Sequence, residues 1–132
     1  MANAEMKRQR PLSPHLQIYR PIITMMMSIM HRITGGALYV GTLFLAWWLI
    51  ALAIGPEYFE TVSEIYGSFL GQLVLFGFTW ALMHHMLGGI RHFIWDTGRG
   101  FDGPSREKLA WATLIGGGVL TVLLWIIGYA AF

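Results

Sequence analysis

Ile65-Tyr-Gly-Ser-Phe-Leu-Gly-Gln-Leu-Val-Leu-Phe-Gly-Phe-Thr-Trp-Ala-Leu-Met-His84-His85-Met-Leu-Gly-Gly-Ile90 is a run of 26 residues without one lysine, arginine, aspartate or glutamate. At a rise of ~1.5 Å per residue a helix of this length covers ~39 Å, more than the ~30 Å of bilayer hydrocarbon. The same signature recurs on either side, over the 22 residues Ile33–Ile54 and the 24 residues Leu109–Phe132. These runs decide the fold class. The chain reads as all-α, an integral membrane protein with three transmembrane helices over about 22–54, 65–96 and 106–131. A cytoplasmic N-terminal segment, 1–21, precedes them within a single membrane-anchor domain, 1–132.

Composition agrees. Hydrophobic residues make up 55% of the chain and charged residues only 12%, with a mean hydropathy of +0.54. A soluble domain carries roughly a quarter charged residues. There is no cysteine, which removes disulfides, thiolate ligation and iron–sulfur clusters held by this chain. The stretch before Pro14 is basic but lacks the apolar core of a secretory signal and the pattern of an organelle presequence. No phosphate-cradling glycine loop follows a strand pattern, and no carboxylate pair lies inside a span, so the chain alone offers no catalytic machinery.

Charge sets the expected orientation. The nine basic residues are Lys7, Arg8, Arg10, Arg20, Arg32, Arg91, Arg99, Arg106 and Lys108, and none lies in the Gly55–Glu64 stretch. By the positive-inside rule the N-terminus and the second connection face the cytoplasm, and the C-terminus faces out. The basic residues flank apolar spans instead of forming one stripe, which argues against nucleic acid as a partner. Gly55-Pro56 ends the first span and opens a short acidic loop with Glu57, Glu60 and Glu64. Pro104-Ser105 opens the third helix.

Ionisable side chains inside such spans mark functional sites by default, and imidazole is a common ligand of haem iron. His85 and His92 are seven residues apart, so they stack two turns apart on one helical face, with Gly88 and Gly89 between them. Glycines there would let a flat macrocycle lie against the helix. His84 points ~100° away, so only one of the adjacent pair can serve a given ligand. A neutral histidine bonded to a neighbouring helix is the competing reading. Ser28, His31 and Arg32 fall at i, i+3 and i+4 at the cytoplasmic mouth of the first span, suited to a polar head group with an apolar tail. Arg32 can grip a carboxylate with two hydrogen bonds; interfacial anchoring by snorkelling is the plainer alternative. Arg91 with Asp96 reads as a helix-end ion pair or as a contact for a propionate or lipid phosphate. Met25-Met26-Met27 reads as packing or as the lining of a tail path.

Three motifs together resemble a known family: Arg10-Pro-Leu-Ser-Pro-His15-Leu-Gln-Ile-Tyr19, then Ser28-Ile-Met-His31-Arg32-Ile-Thr34-Gly35, then His85-x-x-x-Gly89-Ile-Arg91-His92-Phe-x-Trp95-Asp96-x-Gly98. In order and spacing they are similar to the cytochrome b subunit of succinate dehydrogenase, the larger membrane anchor of respiratory complex II, in its alphaproteobacterial and mitochondrial branch. The resemblance implies that His85 is an axial ligand of haem b, with the second axial histidine supplied by a smaller anchor subunit. It implies that His31, Arg32, Arg91 and His92 surround the haem and its propionates, and that Ser28 and Arg32 line the ubiquinone site. The implied partners are that smaller anchor, an iron–sulfur subunit, a flavoprotein subunit, ubiquinone and membrane lipids. A bacterial inner membrane is the expected location, the mitochondrial inner membrane the second choice. A quinol:fumarate reductase anchor and a haem-free assembly or scaffold protein remain as alternatives.

Overall fold

The computed structural model describes residues 14–131. Most of the expected cytoplasmic segment, with Lys7, Arg8, Arg10 and the opening of the first motif, lies outside the described residues. Five helices follow: α1 His15–Ile18, α2 Ile23–Ile54, α3 Pro56–Gly67, α4 Phe69–Asp96 and α5 Gly103–Ala131. Three of them, α2, α4 and α5, are long and apolar enough to cross a membrane. At 32, 28 and 29 residues they reach ~48, ~42 and ~44 Å, so their ends project beyond the hydrocarbon into the head-group layers.

Neighbouring helices run antiparallel. Along α2 and α4, His31 meets Gly88, Gly35 meets His85 and Gly41 meets Phe78. Along α4 and α5, Leu87 meets Gly116, His84 meets Gly117 and Thr79 bonds Trp125. The basic ends of all three spans therefore gather at one end of the bundle. Apart from Met27 of α2 and Val62 of α3, the interior is made of small and polar residues: Thr34 and Ala51 from α2, Ala81, His84, Gly88 and Arg91 from α4, Ala110, Thr113, Gly117 and Thr121 from α5. Large apolar side chains point outward, as Tyr39, Phe69 and Phe93 do at more than 70% exposure. A soluble protein could not tolerate that surface; lipid can, and small interior residues let the helices approach closely.

The expected acidic loop is a helix. Gly55 turns the chain at φ 143°, and Pro56 starts α3 at a first-turn position where its missing N–H costs nothing. Phe59, Val62, Ser63 and Tyr66 form the inward stripe, and Glu57, Glu60 and Glu64 stay exposed. Trp47 Nε1 donates to the Tyr58 hydroxyl at 3.0 Å and the Tyr66 hydroxyl donates to the Phe44 carbonyl at 2.7 Å, tying α3 to the C-terminal half of α2. The second span consequently begins at Phe69 and not at Ile65. Ser68 separates α3 from α4, its Oγ donating to the Ile65 carbonyl and accepting from the Gly71 amide. α5 starts at Gly103, with Pro104 and Ser105 in its first turn, and Asp102 caps it by accepting from the Ser105 amide at 3.0 Å.

Candidate functional site

Three imidazoles meet at the basic end of the α2–α4 seam. The His31 ring enters from α2 and lies over Gly88, where a β-carbon would collide with it. It stacks on His85 with centroids 4.0 Å apart and planes 13° from parallel, and meets the edge of His92 at 5.2 Å. The gap between His85 and His92 is thus filled by His31. Gly88 makes room for that ring; only Gly89, with nothing within 4 Å of its β-position, stays open. The glycine that borders His85 sits on the other helix: a β-carbon on Gly35 would fall 3.0 Å from His85 Cε1.

The proton on His85 can be assigned from its neighbours. His85 Nδ1 lies 3.1 Å from the His31 carbonyl oxygen and 3.3 Å from Thr34 Oγ1. A carbonyl only accepts, so Nδ1 carries the hydrogen and Nε2 keeps its lone pair. Nε2 has no hydrogen-bond partner among the described residues and is not among the sealed polar atoms. His84 is the opposite case. It is fully buried, its backbone packs on Gly117 of α5, its ring lies 5.3 Å from that of Trp80, and neither ring nitrogen has a partner among the described residues. The adjacent histidines therefore separate cleanly, one turned into the three-helix interior and one presenting a free nitrogen.

The Ser28–His31–Arg32 trio divides. His31 turns inward, while Ser28 and Arg32 remain exposed one turn apart on the open side of α2. In the methionine run, Met27 is buried and Met25 and Met26 are exposed. Arg91 is buried, its guanidinium 5.3 Å from the Trp95 ring centre and its Nε without a partner. It forms no ion pair with Asp96, which stays exposed. Trp95 in turn donates to the Gly100 carbonyl at 3.1 Å, fixing the loop below the site. From the level of Gly36 toward the acidic end, α2 and α4 leave an open apolar groove of about 970 Å³, lined by Val40, Phe44, Val74 and Phe78 among others. Phe78 and His85, seven apart, share one face of α4, so the groove continues the His85 side of the bundle.

Chemically this is an imidazole tied at Nδ1, with its other nitrogen at the edge of the bundle and without a partner among the described residues. Among the described residues no three His, Cys, Asp or Glu side chains converge to hold a bare ion. A metal bound at His85 would have to bring most of its other ligands with it.

Comparison with known proteins bears on the family to which this chain belongs. The family described as "Succinate dehydrogenase/Fumarate reductase transmembrane subunit" matches residues 6–125. The chain belongs to that family. It is 42% identical over 118 residues to the succinate dehydrogenase cytochrome b556 subunit of Paracoccus denitrificans, covering 89% of this chain and 91% of the relative. It is 36% identical over 122 residues to the subunit of the same name from Rickettsia prowazekii, covering 92% and 95%. It is also 41% identical over 126 residues to the mitochondrial cytochrome b560 subunit of Sus scrofa, covering 92% of this chain and 70% of that one.

Sequence reasoning did not single out Thr34 and Gly35, which flank the His85 ring. The signal was available: Thr34 stands three residues after His31, on the same helical face.

Proposed function

We propose that the chain is the haem-bearing membrane anchor of a succinate:ubiquinone oxidoreductase, with His85 as an axial ligand of haem b and Ser28 and Arg32 at the ubiquinone site. One observation carries this reading: the His31 carbonyl fixes the proton of His85 on Nδ1 and leaves Nε2 bare, the state a metal-bound imidazole needs. The residues fit a haem. The ligand nitrogen is unpartnered among the described residues and reachable, Gly35 leaves the ring its space, and the sparse donor set suits a metal carried in a macrocycle. When bound, haem supplies a one-electron centre whose potential is set by its axial ligands, hydrogen bonds and burial.

The protein's own part is orientation and charge. His31 braces the His85 ring by stacking and through its carbonyl. His31, Arg32, Arg91 and His92 place cationic and hydrogen-bonding groups at the basic end, suited to propionates. Ser28 donates a hydrogen bond to a quinone carbonyl. Arg32 stabilises the negative charge that grows on the quinone oxygen as electrons arrive, because a fixed cation near lipid acts strongly on such charge. The uncovered groove beside His85 fits a shared site, in which a smaller anchor subunit contributes the second axial histidine. Iron–sulfur and flavoprotein subunits dock on the basic face, which lies in the cytoplasm by the positive-inside rule, with the C-terminus periplasmic in a bacterial inner membrane. The relatives bear the succinate dehydrogenase name, which favours succinate oxidation over fumarate reduction as the working direction.

The test is purification of the tagged chain from membranes. Flavoprotein, iron–sulfur and small anchor subunits should accompany it, with a b-type band in the dithionite-reduced minus oxidised spectrum. A stoichiometric complex without that band refutes the haem reading.

A further inference from the structure

Thr34 is 1% exposed on α2 and its hydroxyl touches three acceptors or donors at once. Oγ1 lies 2.8 Å from the Met30 carbonyl, 3.1 Å from the His31 carbonyl and 3.3 Å from His85 Nδ1. A hydroxyl has one hydrogen and two lone pairs. The shortest contact takes the hydrogen to the Met30 carbonyl. The lone pairs then face His85 Nδ1, whose N–H is shared between the His31 carbonyl and Thr34. Thr79 shows the same division of labour elsewhere in the bundle. Its hydroxyl donates to the Leu75 carbonyl at 2.8 Å and accepts from Trp125 Nε1 at 3.2 Å, and indole nitrogen can only donate. Thr113 and Thr121 make only the bond back to their own helix. Back-bonding is thus ordinary for threonine in this protein; an imidazole N–H from another helix on the remaining lone pair is particular to Thr34.

We propose that Thr34 is a positioning residue for the haem ligand: its hydroxyl is the second acceptor on the His85 Nδ1–H, beside the His31 carbonyl, and fixes the plane of the ring. This rests on His85 being that ligand. Two acceptors on one N–H draw the hydrogen outward and make Nε2 more basic, which stabilises the oxidised metal. The ring is otherwise held by the His31 carbonyl on the same N–H, by the His31 face and by Gly35, so loss of the hydroxyl leaves one acceptor on Nδ1 and lets the ring tilt about that single bond.

The experiment compares Thr34→Ser, Thr34→Val and Thr34→Ala in the intact complex, reading the haem midpoint potential by redox titration and the electron paramagnetic resonance signal of the oxidised haem. Val and Ala, one isosteric and one smaller, should both shift the potential upward and change the signal; Ser should restore both to wild type. Unchanged potential and signal in Val and Ala overturn the assignment, and so does a shift that Ser shares, which would make it an effect of volume. Haem loss from fully assembled Val and Ala complexes, rescued by Ser, supports it. Failure of Val and Ala to assemble even in haem-deficient cells, with Ser assembling, assigns the hydroxyl to helix packing and overturns it. His85→Leu runs alongside: if that variant keeps its haem, the ligand reading fails, whereas its haem loss beside unshifted Val and Ala defeats only the role of Thr34.

Discussion

Gly88→Ala would place a methyl group inside the His31 imidazole. Beyond the closest carbon, His31 Nε2 would stand 3.0 Å and Cγ 3.3 Å from the new β-carbon. Three ring atoms are crowded together, so the ring cannot slide aside and must rotate out of its slot. Rotation breaks the 4.0 Å stack on His85 and the 5.2 Å edge contact with His92. Overpacking of this kind costs about 1–3 kcal/mol, and a lost ring stack accounts for ~0.5–1.5 kcal/mol of it. The His31 carbonyl belongs to the α2 backbone and stays, so His85 keeps its proton assignment and the haem is retained in a less stable complex. The assay is a double-mutant cycle on thermal loss of the haem band, with Gly88→Ala, His31→Ala and both together. Gly88→Ala should lower the midpoint by several degrees alone and by almost nothing when His31 is already alanine, because the collision partner has gone. An equal loss in both backgrounds would refute the reasoning.

Arg32→Ala should cut succinate–quinone turnover roughly 10- to 100-fold, as expected for loss of a hydrogen bond to a charged group worth about 1.5–3 kcal/mol, while succinate oxidation by a soluble artificial acceptor survives; equal loss of both activities points to failed assembly. Gly117→Ala should loosen α4 against α5, since its β-carbon would press the His84 backbone at 3.2 Å, and Gly118→Ala, with nothing within 4 Å, should not; thermal denaturation of the two complexes checks the contrast. The Ser105 hydroxyl and amide hold the Asp102 carboxyl below its ordinary range. A depressed folded pKa gives stabilisation that is complete above the unfolded value of ~3.9 and lost as pH falls through the folded one. Hydrogen exchange over residues 103–108, corrected for intrinsic rates, should therefore quicken only in acid, and Asp102→Asn should flatten that dependence.

The spans were legible because hydropathy over twenty or more residues averages out local detail. The basic end was legible too, since six of the nine cations fall among the described residues and gather there. The α3 helix was not. Its inward stripe of Phe59, Val62, Ser63 and Tyr66 is short and interrupted by Glu60 and Glu64, and the turn signal at Gly55-Pro56 suggests a loop equally well. At the site, spacing within α4 gives His84 and His85 different directions, because two adjacent residues on a helix cannot share one. Spacing could not show what α2 brings across. The presence of His31 over Gly88, the carbonyl on Nδ1 and the hydroxyl of Thr34 all depend on the register of two antiparallel helices, which packing of Gly35, Gly41 and Gly88 sets. For the same reason Ser28, His31 and Arg32 read as one cluster along their own helix and divide once a neighbour is placed beside it.

The most direct test of the account compares two neighbouring substitutions by one spectrum. His85→Leu removes the nitrogen left without a partner at the edge of the bundle; His84→Leu removes a buried ring whose nitrogens bond nothing among the described residues. In dithionite-reduced minus oxidised spectra of the purified complex, the first should abolish or displace the b-type band and the second should leave it in place. A band lost with His84→Leu and kept with His85→Leu would contradict the assignment of the ligand and the reading built on it.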